Sequence, residues 1–210
     1  MPNQFFAKLR HSDKNIRDNQ WIFTTMLIGA ILSLLASFVL STEAIELAKN
    51  PNAVLSCSVN VVLNCATVNN HPTGQLFGFP NSFIGMMAEP VVITVAIAGL
   101  AGMRFGRRFM FAAQIGYTLG LIFAYALFAI SFFIIQALCP WCLLVTLTTT
   151  LVWFALTRYN IRENNLYLPK QLHKKLLRFI EKDYDKLLMW IFIVVMVVAI
   201  LLKYGDGIFA

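Results

Sequence analysis

The stretch Cys139-Pro140-Trp141-Cys142 lies between two long apolar runs, and no charged residue occurs from Phe109 to Thr157. A Cys-x-x-Cys motif in this setting is predicted to lie at a membrane surface, where a spanning helix begins. Pro140 suits the first helical position because the N–H that it lacks has no helical partner there. Cys139 is then the N-cap residue, and Cys142 lies in the first turn.

This position suits the pair for redox chemistry. Two cysteines three residues apart in a first turn are close enough to form a disulfide or to open it. The free N–H groups and the dipole of a helix start favour a thiolate. The alternative is that Cys139 and Cys142 are two inert core residues, since free cysteine packs well in apolar surroundings. The proline between them and the helix start favour redox exchange.

The composition predicts an all-α integral membrane protein. The chain has 210 residues, of which 59% are hydrophobic, and its mean hydropathy is +0.70. A helical span needs about 20 apolar residues. The sequence contains five candidate spans: Trp21–Ser41, Phe83–Met103, Phe109–Ile135, Pro140–Thr157 and Leu187–Lys203.

The positive charges predict the orientation of these spans. The net charge of +7 could suggest nucleic acid, but its distribution argues against such a partner. Fifteen of the 17 lysines and arginines lie in 1–20, 104–108 and 158–186, whereas Lys49 and Lys203 lie in the opposite loops. The positive-inside rule therefore predicts a cytoplasmic N-terminus and an extracytoplasmic C-terminus. All four cysteines then face the compartment that tolerates disulfides.

The chain divides into four predicted segments. Residues 1–20 form a cytoplasmic segment, 21–158 a four-helix bundle with an outer loop at 42–80, 159–186 a basic cytoplasmic segment, and 187–210 a fifth span with a short outer tail. Within the basic segment, 171–181 is predicted to be helical and to touch anionic lipid. A short amphipathic helix is predicted to start at Thr42 and to end at Asn50-Pro51.

The outer loop carries the other two cysteines, Cys57 and Cys65. On a continuous helix they would be separated by about 12 Å of rise, too far for a disulfide. If they pair, the segment must fold back or break; if it stays helical, each cysteine must pair elsewhere. A zinc site of four thiols is disfavoured because the C-x7-C and C-x2-C pairs span a loop and a membrane helix.

Several residues inside the predicted spans are polar or small. Glu89, next to Pro90, is a functional candidate because a carboxylate in a membrane helix is costly, although a hydrogen-bonded structural role is an equal alternative. Two small-residue stripes should let neighbouring helices approach closely. They are Ser33, Ser37 and Ser41 in the first span, and Ala112, Gly116, Gly120 and Ala124 in the third.

The cysteine framework and the topology together resemble the vitamin K epoxide reductase family, specifically its bacterial disulfide-forming members. The resemblance rests on C-x7-C in the first outer loop and C-x2-C at the start of the fourth span. It extends to Phe77-Gly78 and to Asn81, and covers about residues 20–158. At His71 the family often carries Ser or Thr. Many bacterial members also carry a fused thioredoxin-like domain after a fifth helix, whereas this chain stops there.

The resemblance implies a four-helix bundle around a quinone, menaquinone or ubiquinone, in the bacterial cell membrane. Cys139 and Cys142 would be the active-site pair, and Cys57 and Cys65 the shuttle pair. The implied partner is a separate extracytoplasmic thioredoxin-like protein, reoxidised as two electrons pass to the quinone. Candidate quinone contacts are Cys142, Phe77, Asn81, Glu89 and Trp141.

The direction of the helix also orders the relay. Cys139 is the outer sulfur and Cys142 the inner one, so Cys139 is the sulfur that a loop cysteine can reach. Cys65 is the expected bridge because it is close in sequence to the second span, which leaves Cys57 for the partner. Two alternatives remain at this stage: quinone or vitamin K epoxide reduction with a dithiol as reductant, and a non-catalytic membrane scaffold held by two disulfides.

Overall fold

The computed structural model describes residues 14–51, 53, 55, 57–58 and 60–209, together with the side chains there except those of 206, 208 and 209. The described residues contain no β-strand, so the all-α prediction is confirmed. A π-helix, Ser131–Ile135, extends α4, and a 3-10 turn covers Pro72–Gln75. The helices are α1 Lys14–Lys49, α2 Cys65–Asn70, α3 Ser82–Leu100, α4 Arg107–Ile130, α5 Pro140–Arg162, α6 Lys170–Glu181 and α7 Tyr184–Phe209.

Five helices are long and apolar enough to cross a membrane: α1, α3, α4 with its π-helical extension, α5 and α7. Each of them overlaps one of the five predicted spans, and the protein is a multi-pass membrane protein. The predicted helix at 171–181 is α6, which begins at Lys170. The cytoplasmic segment predicted at 1–20 lies outside the described part of the chain over residues 1–13.

The first helix is longer than predicted. It begins at Lys14 and continues without interruption to Lys49. The prediction of a separate helix from Thr42 is wrong, because residues 42–49 contain good helix formers and no glycine or proline. The helix ends where expected, since Pro51 disfavours a helical conformation at Asn50. The last two turns of α1 therefore reach into the region predicted to be outer loop.

Helix α1 is the centre of the bundle and packs along α3 and α5. Its serine stripe makes the contact with α3, as predicted: Ser33, Ser37 and Ser41 are all at least 97% buried. Ser41 donates a hydrogen bond to Ser82 at 2.9 Å. A Cβ at Gly85 would lie 2.2 Å from the Ser37 hydroxyl oxygen, so glycine is needed for this close approach.

The second pair of adjacent helices is α4 and α5, and α7 packs on the outside of α5. Helices α3 and α4 follow each other in sequence but make little contact with each other. This separation opens a cavity between them, described below. The bundle thus holds four helices around a space, with α7 as the peripheral fifth helix.

The two ends of the bundle differ in charge. At one end, here called the basic end, α5 finishes and α7 begins. There the fully buried guanidinium of Arg158 donates hydrogen bonds to Asp18, Asp183 and Asp185 over 2.7–2.9 Å. The other end, here called the cysteine end, carries the loop between α1 and α3. The side-chain amide of Asn60 in that loop bonds to the Gly207 carbonyl at 3.1 Å, so the end of α7 lies there too.

Candidate active site at the cysteine end

The Cys139-Pro140-Trp141-Cys142 motif has the predicted geometry. Cys139 is the N-cap of α5 in an extended conformation, and Pro140 is the first helical residue. The Cys142 backbone N–H points at the Cys139 sulfur, with N and Sγ 3.4 Å apart. The hydrogen bond from the Cys142 side chain, assisted by these backbone N–H groups, lowers the pKa of Cys139 against the effect of burial. Cys139 is therefore the sulfur of this pair that is prepared to carry negative charge.

The loop cysteines form a disulfide, Cys57–Cys65, with a Cα–Cα distance of 5.7 Å. Of the alternatives left open by their spacing, the segment folds back. Asn60 directs this turn, since its side-chain oxygen accepts hydrogen bonds from the backbone N–H groups of Val62 and Leu63. Asn64 then caps α2 by accepting from the Thr67 N–H at 3.0 Å. Cys65 is consequently the first residue of a helix rather than the end of one.

A backbone bridge brings the two cysteine pairs together. The Leu138 N–H donates to the Val62 carbonyl at 2.7 Å, and the Asn64 N–H donates to the Leu138 carbonyl at 3.0 Å. Cys65 directly follows Asn64 in the chain, and Cys139 directly follows Leu138. Their sulfurs lie 3.1 Å apart, and Cys65 and Cys139 are 99% and 98% buried. Disulfide exchange between the pairs requires such an approach.

The sulfurs of Cys57, Cys65 and Cys139 all lie within 4.8 Å of one another. Three thiolates at this spacing could hold a metal ion, but two of these sulfurs are joined in a disulfide. Metal binding would require that bond to be reduced first. The carboxylate of Glu43, from the extension of α1, contacts the same cluster: both of its oxygens lie 3.3 Å from the Cys57 sulfur. The sequence reasoning did not select Glu43.

A cavity of about 750 Å³ extends from the cysteines into the bundle between α3 and α4. Its wall is predominantly apolar, and Cys65, Cys139 and Cys142 lie at one end of it. Pockets that bind small planar ligands are typically of this size and polarity. Of the predicted contact residues, Phe77, Asn81, Glu89 and Cys142 line the cavity. Trp141 packs instead against the buried cysteine cluster.

Phe77 and Asn81 lie at the mouth of the cavity. Phe77 is half exposed and its ring contacts that of Phe123 on α4, with centroids 5.7 Å apart. The Asn81 amide donates to the Thr73 carbonyl at 2.6 Å, and its oxygen accepts from the Leu76 N–H at 3.2 Å. Both ends of the amide thus stabilise the loop that covers the cavity. His71 caps the 3-10 turn in this loop by accepting a hydrogen bond from the Thr73 N–H.

Glu89 lies deeper in the cavity wall and is 96% buried. Its Oε1 accepts hydrogen bonds from Ser33 at 2.9 Å and from Tyr117 at 3.3 Å, as the hydrogen-bonded alternative predicted. Its Oε2 has no hydrogen-bond partner among the described residues. The Tyr117 hydroxyl also bonds to Thr149, which lies seven residues, or about 10 Å, along α5 from Cys142.

The small-residue stripe of the third span has a different environment from the one predicted. Within the described part of the chain, no neighbouring element comes within 4 Å of an added Cβ at Gly116 or Gly120. The prediction of close helix packing along this stripe is therefore wrong. Both glycines, with Ala124, line the cavity. Helices α3 and α4 splay apart, which leaves a space between them. Because these residues are small, their side chains do not fill that space. A row of small residues is thus compatible both with close helix packing and with the wall of a cavity.

These observations define a class of protein: a membrane helical bundle in which a disulfide, a dithiol and an apolar cavity meet at one end. The sequence model of the Vitamin K epoxide reductase family matches residues 24–157, well over half of the chain, and the protein belongs to that family. Among curated proteins, no match to the chain was found. The family membership implies membrane disulfide and quinone redox activity, and the cluster of Cys57, Cys65 and Cys139 is consistent with it.

Proposed function

We propose that this protein oxidises a separate extracytoplasmic thioredoxin-like protein and passes two electrons through its two cysteine pairs to a membrane quinone. The observation that carries the proposal is the 3.1 Å separation of the Cys65 and Cys139 sulfurs, beside a cavity that Cys142 also lines. A scaffold held by disulfides would need neither the contact between the pairs nor the cavity. The activity supports disulfide bond formation outside the cytoplasm.

The relay starts at the loop. A partner thiolate attacks the Cys57 sulfur, the Cys57–Cys65 bond breaks, and its electron pair leaves on Cys65. The Cys65 thiolate then attacks Cys139 of an oxidised Cys139–Cys142 pair, and Cys142 leaves as a thiolate. Cys57 is the more exposed of the loop pair, at 7% against 1%, but it is still buried. The partner must therefore displace part of the loop to reach it.

The second half returns the disulfides to their starting positions. The partner's second thiolate attacks its own sulfur in the mixed disulfide and releases Cys57. Cys57 attacks Cys65, which re-forms the loop disulfide and releases Cys139 as a thiolate. Cys139 and Cys142 would then re-form their bond, with a bound quinone as the acceptor of the two electrons and two protons. In this relay, the state just before the last transfer has the loop pair joined in a disulfide and the helix pair reduced.

The quinone, menaquinone or ubiquinone, would occupy the cavity with its ring next to Cys142. Phe77 offers an aromatic face at the mouth, and Asn81 keeps the covering loop closed through its two hydrogen bonds. Glu89, further along the cavity wall, offers an oxygen that has no hydrogen-bond partner among the described residues. Trp141, which does not line the cavity, would exclude water from the sulfurs. The quinone supplies the electron-accepting chemistry, and the gap between α3 and α4 gives it a path to the lipid.

The proposed location is the bacterial cell membrane, with the cysteine end outside and the basic end in the cytoplasm. The basic end carries the described lysines and arginines, at the ends of its helices and in the connections between them. The exceptions are Lys49 and Lys203. By the positive-inside rule, this distribution supports a cytoplasmic position for that end. This orientation exposes the loop disulfide to an oxidising compartment, where such a bond persists.

The test is the redox state of the four cysteines. When quinone is withdrawn from membranes that contain the protein and a dithiol substrate, reduced cysteines should accumulate, and added quinone should reoxidise them. Alkylation after acid quenching, followed by mass spectrometry, reads each pair separately. A Cys65→Ala variant should in addition retain its partner in a mixed disulfide with Cys57. Cysteines that do not respond to quinone would identify the protein as a scaffold.

A further inference from the structure

The carboxylate of Glu43 has a position that the relay as described does not use. Glu43 lies in the last two turns of α1, is 94% buried, and has both carboxylate oxygens 3.3 Å from the Cys57 sulfur. Glu46, one turn further along the same helix, is exposed. Burial of a carboxylate is unfavourable unless hydrogen bonds or charges compensate it. Both carboxylate oxygens of Glu43 lie against one particular sulfur, and the chemistry of that sulfur changes when the loop disulfide opens.

The chemistry of the contact between Glu43 and the Cys57 sulfur depends on whether the loop disulfide is formed or reduced. In the disulfide, the Cys57 sulfur carries no hydrogen and cannot donate to Glu43. After reduction, a Cys57 thiol at the same 3.3 Å separation can donate its hydrogen to either carboxylate oxygen. Cys57 is 93% buried, so bulk water has little access to remove that proton. Glu43 is the carboxylate in direct contact with the sulfur that must lose it.

We propose that Glu43 is the proton acceptor for Cys57 when the loop disulfide closes, an assignment that rests on the proposed relay. In this step the Cys57 thiol transfers its proton to Glu43, and the resulting thiolate attacks Cys65. The Cys57–Cys65 bond forms, the Cys65–Cys139 bond breaks, and the electron pair leaves on Cys139. No external oxidant is needed because the step is an exchange. The proton then passes from Glu43 to water when the loop next opens.

The same contact gives the relay its direction during opening. While Glu43 is ionised, its charge disfavours a second negative charge on the adjacent Cys57 sulfur. When the loop disulfide opens, the electron pair is therefore favoured on Cys65, whose sulfur faces Cys139 at 3.1 Å. Cys57 stays in the mixed disulfide until the partner's second sulfur displaces it. It then takes up the proton that this partner thiol has lost, and it remains a thiol until the proton moves to Glu43. Once the proton has moved, the carboxyl group is neutral and no longer opposes the thiolate.

The exchange step can be isolated in a Cys142→Ala variant, which retains Cys57, Cys65 and Cys139. The protein is prepared at acidic pH with the loop disulfide formed, and exchange is started by a jump to neutral pH. Acid quenching, thiol blocking and mass spectrometry then give the fraction of Cys65–Cys139 against time. Here Cys139 loses a proton and attacks Cys65, and Cys57 leaves. By microscopic reversibility, the protonated carboxyl of Glu43 donates its proton to the leaving Cys57, so Glu43 acts in both directions of this approach to equilibrium. Neither quinone nor partner is needed.

Glu43→Gln in this background should slow the exchange about 100-fold, the lower end of general acid–base contributions. Glu43→Asp, which keeps a carboxylate, should recover part of the rate. Glu46→Gln is the matched control on the same helix and should exchange at the rate of the Cys142→Ala background. Equal rates for Glu43→Gln and Glu46→Gln would overturn the assignment.

A second measurement does not depend on the folding of a Glu43 variant. In the Cys142→Ala background, exchange in D2O should be slower than in H2O because a proton moves in the rate-determining step. Equal rates in the two solvents would overturn the assignment. The proposed function is tested separately, by quinone reduction in the wild-type chain. Absence of that reduction would overturn the relay and the assignment with it, whereas quinone reduction with Glu43-independent exchange would overturn the assignment alone.

Discussion

The sulfurs of Cys65 and Cys139 lie 3.1 Å apart although the residues are separated by 74 positions in the chain. Two features fix this relationship: the parallel bridge between Leu63 and Leu138, and the position of each cysteine at the start of a helix. Cys65 is thus bonded to Cys57 and simultaneously in contact with Cys139. It is the sulfur through which the two pairs are connected.

The first prediction concerns this connection. Replacing Cys142 by alanine removes the thiol that would release Cys139, so a Cys65–Cys139 disulfide should become detectable. Mass spectrometry of non-reduced digests identifies the linked peptides. Cys57→Ala is the comparison. It leaves the other three cysteines in place, but the Cys57–Cys65 disulfide cannot re-form. Recovery of Cys57–Cys139 as the dominant link would reverse the assigned order of the loop cysteines.

The second prediction concerns the pH dependence of Cys139. Because the hydrogen bond from Cys142 is the largest effect and lowers the pKa of Cys139, more of its thiolate should be present near neutral pH than for an ordinary cysteine. In a Cys57→Ser, Cys65→Ser variant, the rate of reaction with a small methanethiosulfonate should rise with pH around a lowered midpoint. Adding Cys142→Ala should raise that midpoint. Adding Glu43→Gln instead should lower the midpoint below that of the starting variant, since the negative charge of Glu43 raises the pKa of Cys139.

An unchanged midpoint on removal of the Cys142 side chain would contradict this account of the thiolate. The Cys139→Ser variant in the same background measures the rate at which Cys142 alone reacts. This rate is subtracted from the rate of the variant that retains both cysteines. A peptide that contains one cysteine serves as the reference for an unperturbed thiol.

Much of the architecture could be predicted from local patterns. Hydropathy locates the spans, and proline at the first helical position locates Cys139 as an N-cap, because both depend on residues near in sequence. The serine stripe of α1 was interpreted correctly because Ser37, its middle member, meets Gly85 on α3. The corresponding stripe on α4 was not, since a row of small residues permits close packing but does not supply a neighbour. Whether a helix fills the space depends on how α3 and α4 diverge.

The parts of the site that were missed depend on long-range contacts. Glu43 was assigned to a short loop helix because its distance from Cys57 depends on the loop folding back over α1. The Leu63–Leu138 bridge involves two ordinary apolar residues, and their side chains carry no signal of backbone pairing. Tyr117 lies in the apolar helix α4 and was not selected, although it donates to Glu89 on α3, which was.

The third prediction concerns the basic end, where the Arg158 side chain has no exposed surface and bonds to three carboxylates. These bonds join α1, α5 and the start of α7. Replacing Arg158 by leucine leaves buried carboxylates without their partner and should destabilise the protein by about 3–5 kcal/mol. Thermal unfolding in detergent measures the loss. Arg178→Gln on the exposed face of α6 is the control, and an equal unfolding temperature for both variants would show that the cluster contributes nothing.

The last prediction concerns Glu89, whose Oε1 is held by Ser33 and Tyr117 and whose Oε2 has no protein partner among the described residues. Glu89→Gln keeps an oxygen that can accept both hydrogen bonds, so the protein should remain folded. The amide cannot deliver a proton, however. If Glu89 serves the quinone, turnover should fall while the exchange between Cys65 and Cys139 is unchanged.

Glu89→Leu separates the two roles further. It leaves the hydroxyls of Ser33 and Tyr117 without their acceptor, which costs about 1–3 kcal/mol for each buried group left unpaired. Stability should therefore fall in Glu89→Leu but not in Glu89→Gln, whereas quinone turnover should fall in both. Steady-state reduction of a soluble quinone and thermal unfolding of the same preparations give the two readouts. Full turnover in Glu89→Gln would mean that the carboxyl group stabilises the packing of α1, α3 and α4 and takes no part in quinone reduction.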